Sequence, residues 1–418
     1  MAYAPVLKQG DRWTTAALLT AAMVLGAMLY NPALCFAYTA GLPINDTITN
    51  TAEAALIGVI LLAVCGPLIK GVMVPAILLL GWIEVLRLVN TEISLKVLVD
   101  VAVPVAFATL GKHRGSLWLA DRIVWISIVV VLAFGLFEMF DLPLFERYFD
   151  VLGFYIERGL FDPQHAGDTG TRLFGSGIRP EGRSLLPFLG DHRVSSVFLE
   201  PVGCGNFPVI CIPWLIIRWR AAPRMNAAML ACAVAITILA DARFGVACTL
   251  IILGVIASPL PRMRTFVGAL PFAVIVLLLG YAATVGHTTI DDSLDGRLFK
   301  SGDLLQSWTL PQWLAIDPSF LPTYDSGYGY FLGNIGLPAA GLLWLAFAGA
   351  NMPTLQGDRF RAAMAIYLCT GLSIAGSVLS IKTAGLLWFL YGALQAAPLG
   401  VPAERLARGL PWRRAGLA

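Results

Sequence analysis

The chain predicts an all-α polytopic integral membrane protein. Its composition, its apolar runs and the siting of its basic residues each point that way. Of 418 residues, 58% are hydrophobic and 13% charged, whereas soluble domains carry about a quarter charged residues. A hydrocarbon core ~30 Å thick takes roughly 20 apolar residues per helix, and such runs recur along the whole sequence. No long hydrophilic stretch separates them into units, so residues 1–418 read as a single membrane domain.

Twelve spans are predicted, in order: 14–34, 52–69, 71–89, 95–111, 123–140, 197–217, 225–240, 244–260, 265–286, 328–349, 362–380 and 383–400. The first comes after Lys8 and Arg12, as a signal peptide would. It lacks a convincing cleavage site ahead of a soluble region, so it reads as a retained span. The polar stretch "TAGLPINDTITNT" closes it. Connections within 52–89 and 362–400 are very short, which leaves ten or eleven spans open.

Basic residues near span ends set orientation. With a cytoplasmic N-terminus, the inner segments are the tail, Lys70, "GKHRGSLWLADR", "RWRAAPR", "PRMR", "GDRFR" and the C-terminal "ERLARGLPWRR". They hold 17 of the 29 basic residues, and both termini are then cytoplasmic. Two outer segments are long, 141–196 and 287–327. Connections of that length are usually functional. In the first, "DLPLFERYFDVLGFYIERGLF" sets Leu144, Phe145, Tyr148, Leu152, Tyr155 and Ile156 at helical spacing between charged residues. That pattern predicts one amphipathic helix in the outer interface. Glycine-rich "HAGDTGTRLFGSGIRPEGRS" comes next and suits a substrate-facing loop.

A net charge of +3 gives no case for nucleic acid. The seven Cys lie almost entirely in apolar runs without CxxC spacing, and the four His form no cluster, so neither a metal nor another cofactor is expected.

The chemistry is sought in charges at the outer ends of spans. "RVSSVFLEP" holds Arg193 and Glu200, and "LADARFGVACTL" holds Asp241 and Arg243. "DDSLDGRLFKSGDLLQSW" holds Arg297 and Lys300, and "TYDSGYGYFLGNIGLPAAG" holds Asp325 and Tyr328. Under this topology, all four stretches meet the same side. Guanidinium is a planar fork of five donors matched to phosphate oxygens, so several around one cavity suit a diphosphate. Each has a plainer reading: Arg243 as a solvated turn residue beside Asp241, Arg297 as surface. Arg179 and Arg183 either join a clamp or are simply solvated. Glu200 lies about one turn inside its helix, where a carboxylate calls for a buried partner or a water-filled cavity.

In their order and setting, "RVSSVFLEPVGCGNF", "ADARFG", "GRLFKSGDLLQSW" and "YDSGYGYFLGNIGLPAAG" resemble the O-antigen polymerase and ligase superfamily, and the chain looks like a Wzy-type polymerase of O-antigen or exopolysaccharide. The likeness covers about 190–350. It implies a GT-C-like glycosyltransferase bundle in the bacterial inner membrane, with a periplasmic active site acting on an undecaprenyl-diphosphate-linked oligosaccharide. A chain-length regulator is an implied partner. It also implies diphosphate contacts from Arg193, Arg243 and Arg297, with Asp325 or Glu200 as base and Arg179, Arg183, Lys300 and Tyr328 as further candidate substrate contacts. Ligases tend to carry a His where this chain has "YDSGY", a departure that favours a polymerase. The expected reaction is an inverting, metal-independent transfer of the growing glycan to the non-reducing end of a lipid-linked repeat unit. A ligase-type transferase is the rival enzyme. A lipid-linked-oligosaccharide or small-solute transporter is the rival class, against which the absence of an internal repeat counts.

Overall fold

A computed structural model describes residues 13–71, 73–91, 93, 96–162, 170–179, 181–285, 294–317 and 326–396. Asp325, the tail residues Lys8 and Arg12, and the basic C-terminal segment lie outside these residues. Helix dominates and no strand occurs among the described residues, which gives the all-α class.

The outer wall begins with α1 (Thr15–Thr39), α2 (Asp46–Ala63), α3 (Cys65–Gly71), α4 (Met73–Val89), α5 (Lys96–Arg114) and α6 (Leu117–Phe140). Short α7 (Leu142–Tyr148) and α8 (Val151–Glu157) come next. Next in the chain are α9 (Pro201–Ile217), α10 (Pro223–Leu239) and α11 (Arg243–Ala257), then α12 (Arg264–Val285), α13 (Leu294–Ser307) and α14 (Leu310–Trp313). The last three are α15 (Gly327–Gly349), α16 (Leu355–Leu372) and α17 (Ile381–Gln395).

Most of each apolar run coincides with helix where it is described, though among the described residues length and apolarity sufficient to cross a membrane hold for five helices: α1, α2, α6, α12 and α15. The apolar α9, α10 and α11 are shorter. Large apolar side chains are displayed outward, Leu78 and Leu88 on α4 and Val276 and Leu277 on α12 among them. An apolar exterior of that kind suits contact with lipid.

α9 is apolar all round and nearly wholly buried, packed against α6, α10, α11, α16 and α17. α17 lies along α5 with almost no side chain between them. A Cβ at Gly392 would collide with the Ala108 carbonyl, and one at Gly111 with that of Phe389. Small residues permit this approach between apolar helices, where packing rather than water expulsion drives association. α15 breaks at Gly336, whose φ of 75° only glycine adopts cheaply. The Trp82 indole of α4 donates to the freed Ile335 carbonyl at 2.9 Å.

Three expectations need correction. The amphipathic helix over 142–160 is two helices. Asp150 caps the second, accepting from the Gly153 N–H at 2.9 Å, while its own N–H is given to Thr39 Oγ1. Both pack Phe145, Phe154 and Tyr155 onto α1 and α6. The segment 287–327 contains α13, lodged so closely on α12 that a Cβ at Gly302 would strike the Leu278 carbonyl. The run 362–380 is helical only to Leu372; a tight turn over Gly376–Leu379 precedes α17.

Two of the described basic residues assigned inward, Arg218 and Arg361, stand at one end of the bundle. There Arg218 at the end of α9 pairs with Asp121 of α6 at 2.7 Å. Arg361 of α16 pairs with Asp358 at 2.7 Å and donates to the Ala350 carbonyl. The starts of α9, α11 and α13 and the ends of α10 and α16 meet at the opposite end.

Candidate functional site

At that opposite end the segment after α8 folds back on itself. Ile178 pairs antiparallel with His192, and the Arg193 N–H donates to the Gly177 carbonyl at 2.7 Å. The hairpin then docks on the end of α10, with Val194 N–H donating to the Leu239 carbonyl at 3.0 Å. Glu138, wholly buried on α6, pins the residues on either side of this contact. Its carboxylate accepts from the N–H groups of Ser195 and Ser196 and sits 3.0 Å from His192 Nε2. Arg193 is held between these anchors, and its side chain reaches the carbonyls of Ala240 and Ser176.

The turn between α10 and α11 supplies the floor. Asp241 adopts a left-handed conformation, φ 47°, which a short polar side chain tolerates better than most. Its buried carboxylate accepts the N–H groups of Ser184 and Leu185 and pairs with Arg179. α9 and α11 start side by side: a Cβ at Gly205 would collide with that of Ala242, and one at Gly245 would lie 2.9 Å from the Gly205 carbonyl. Neither start has a side-chain cap, since α9 begins after Glu200 and α11 after Ala242 with no capping hydrogen bond. First-turn N–H groups left unpaired in this way are a ready anion site.

The result is a cavity of about 670 Å³, open solvent at its mouth included, into which Arg179, Arg193, Arg243 and Arg297 converge. Among the described residues, Asp241 is the one carboxylate on its wall. Arg193, 9% exposed, is held below the usual arginine range, at about 10. Burial is the main cause and the neighbouring Arg179, Arg243 and Arg297 add to it, against the pull of Asp241. Arg243 is exposed, and its guanidinium makes no hydrogen bond or ion pair among the described residues. Among the described residues the wall thus carries four guanidiniums and one carboxylate, a lining suited to an anion.

An apolar groove of about 850 Å³ adjoins the cavity and shares Phe244, Leu294 and Ile374 with it. Ile251, Val274 and Leu277 form its walls, so it runs between α11 and α12. Polar clamp and apolar groove together match an amphiphile with an anionic head.

The structure thus brings Arg193, Arg243 and Arg297 together and adds Arg179. It corrects the solvated reading of Arg179 and Arg183, and it moves Arg183 away from substrate. Arg183 is 3% exposed and donates to the carbonyls of His192, Ile238 and Leu239. It caps the C-terminus of α10, where a cation complements the helix dipole. Arg243 is not the partner of Asp241; Arg179 is. Glu200 does not line the cavity. Its carboxylate lies 2.7 Å from Lys382 Nζ of α17, the buried partner its position demanded. Lys300 and Tyr328 are absent from the wall, and Tyr328 is buried at the start of α15. Asp325 falls outside the described residues. Sequence reasoning missed Glu138, His192 and Lys382. A carboxylate and an ammonium each within an apolar run were the available signals.

Compared with known proteins, the chain matches no family model, no curated protein and no solved structure.

Proposed function

We propose that the chain is a membrane glycosyltransferase whose donor is a saccharide on a polyprenyl diphosphate, and that it polymerises lipid-linked repeat units in the manner of the Wzy-type polymerases it resembles. One observation carries the reading: four guanidiniums surround a cavity that continues into an apolar groove. The diphosphate sits among Arg179, Arg193, Arg243 and Arg297 with its prenyl chain along α11 and α12.

In the reaction an acceptor hydroxyl oxygen bonds to the sugar C1 while the C1–O bond to phosphate breaks. The electron pair leaves on the diphosphate, and attack from the opposite face inverts the anomeric centre. Preorganised guanidiniums stabilise the charge that grows on the departing oxygens, which is the largest contribution such a site makes. The hydroxyl proton passes to a carboxylate. Asp325 takes that part in preference to Glu200, which Lys382 already engages.

The test uses the purified full chain in liposomes with undecaprenyl-diphosphate-linked repeat units, read by product length. Lengthening by wild-type protein, lost in Arg243→Ala, supports the reading. Movement of the lipid-linked saccharide across the bilayer without new glycosidic bonds replaces it with a transporter.

A further inference from the structure

The end of the bundle remote from the arginine cavity carries a pocket of its own. It measures about 680 Å³, open solvent at its mouth included, and lies between the start of α6 and the turn that joins α9 to α10. α6 lends it Trp118, Arg122 and Trp125, and the turn lends it Ala221 and Ala222. Steps of four and three residues set the three α6 side chains on one helix face. Ser116 caps this start of α6, accepting from the Leu119 N–H at 3.1 Å.

Arg122 is held in place there without being satisfied. Its guanidinium carbon lies 4.6 Å from the Trp125 ring centroid and 5.7 Å from that of Trp118, where the ring quadrupoles attract it. Both rings are themselves fixed. Trp125 Nε1 donates to the buried Asn226 of α10 at 3.0 Å, and Asn226 donates to the Arg218 carbonyl at 2.9 Å. Trp118 packs edge-on against Trp13, their centroids 5.3 Å apart. These contacts consume none of the five guanidinium N–H donors. Arg122 makes no hydrogen bond or ion pair among the described residues. Asp121, beside it in the chain, is engaged by Arg218 and the Trp214 indole.

A guanidinium fork with its donors unspent matches the oxygens of a phosphate. Arg220 and Arg224, in and just beyond the same turn, are exposed and add positive charge. A group of net negative charge is therefore favoured over a zwitterion, whose ammonium these cations repel. Position separates a lipid from a solute. Trp13 and Trp219, 44% and 41% exposed, stand at this end with Trp118, and indoles collect at headgroup depth. From Arg122 an exposed apolar stripe of Ile126, Val129, Ala133 and Leu136 runs along α6 at helical spacing. Head and tail of one amphiphile are provided for.

We infer that this pocket is a headgroup site for an anionic phospholipid of the leaflet at this end, its phosphate on Arg122 and an acyl chain along α6. Basic pockets between membrane helices recognise anionic headgroups in this way. The two indoles hold the guanidinium ready, so little side-chain freedom is lost on binding. The site owes nothing to the proposed reaction.

Native mass spectrometry tests it on the full chain in detergent, stripped of lipid and titrated with phosphatidylglycerol or with phosphatidylcholine of the same acyl chains. Expected is a first phosphatidylglycerol bound roughly tenfold more tightly than the first phosphatidylcholine, the worth of one charge-assisted hydrogen bond. Arg122→Gln should erase most of that preference, and Arg122→Lys, which keeps the charge but not the fork, should retain only part of it. Arg220→Gln, on the exposed flank, should change it by less than about twofold. If Arg122→Gln fails to fold, Arg122→Lys decides. Equal affinity for the two lipids, a preference untouched by the Arg122 variants, or one cut as far by Arg220→Gln overturns the site and leaves Arg122 an ordinary interfacial anchor. Inorganic phosphate that binds alone and excludes the lipid overturns it too, in favour of a soluble anion.

Discussion

The two ends of the bundle treat arginine differently. At one, each buried guanidinium is matched: Arg218 with Asp121, which also accepts from Trp214 Nε1 at 3.0 Å, and Arg361 with Asp358. At the other, four guanidiniums share a wall on which Asp241 is the one carboxylate among the described residues, and Arg179 pairs with it. In the first arrangement each of these two guanidiniums has its own carboxylate. The second gathers more guanidiniums than carboxylates among the described residues, and uncapped helix starts and a neighbouring groove surround them.

The largest effects come from breaking the matched end. Arg218→Ala strands Asp121 in the interior, and loss of one partner of a buried pair costs about 3–5 kcal/mol. The thermal midpoint should fall steeply, while folded protein keeps its geranylgeranyl diphosphate affinity. Arg243→Ala should do the reverse. Its midpoint is unchanged, since its exposed guanidinium has no partner to lose among the described residues, and diphosphate affinity measured by titration drops roughly tenfold or more, the worth of one charge-assisted bond. Arg243→Lys keeps the charge but not the fork and should recover that affinity only in part.

Arg183 sharpens the contrast within a single loop. Arg183→Ala should lower the thermal midpoint, because α10 loses its cap, and weaken turnover only through the displaced hairpin. An unchanged midpoint would return Arg183 to the candidate substrate contacts. Smallest is the pH response. With Arg193 held at about 10, its charge is present below that value and lost as pH rises through it. Diphosphate affinity should therefore decline through pH 10 in the wild type and decline less in Arg193→Ala. Sign and linkage agree: a bound anion raises the Arg193 pKa, so binding takes up protons there.

How much of this was legible depended on what each residue answers to. Arg193, Arg243 and Arg297 could be grouped because helices of alternating direction put every second end on one side. That parity is written in the apolar runs. Their convergence on one wall needed α9 and α11 to touch at Gly205 and Ala242, and no periodicity encodes that. Glu200 announced a buried partner, but Lys382 lies 182 positions away, and helix pairing alone selects it. Arg183 misled because a charged residue in a glycine-rich loop usually faces water; here the exposed carbonyls of α10 outbid solvent. The helix α13 was read as loop because its apolar positions, Leu298, Phe299 and Leu305, are interleaved with charge and cover one face.

The groove beside the arginines also sets a rule of supply. Along α12 its contacts run from Val274 to Tyr281, the half of that helix nearest the arginines. At 1.5 Å per residue, that half spans only about half of a ~30 Å core. A prenyl chain lodged there belongs to one leaflet. Under the proposed function, a donor made on the other leaflet would stay out of reach until it had been turned over, and the rate of that inversion would cap turnover.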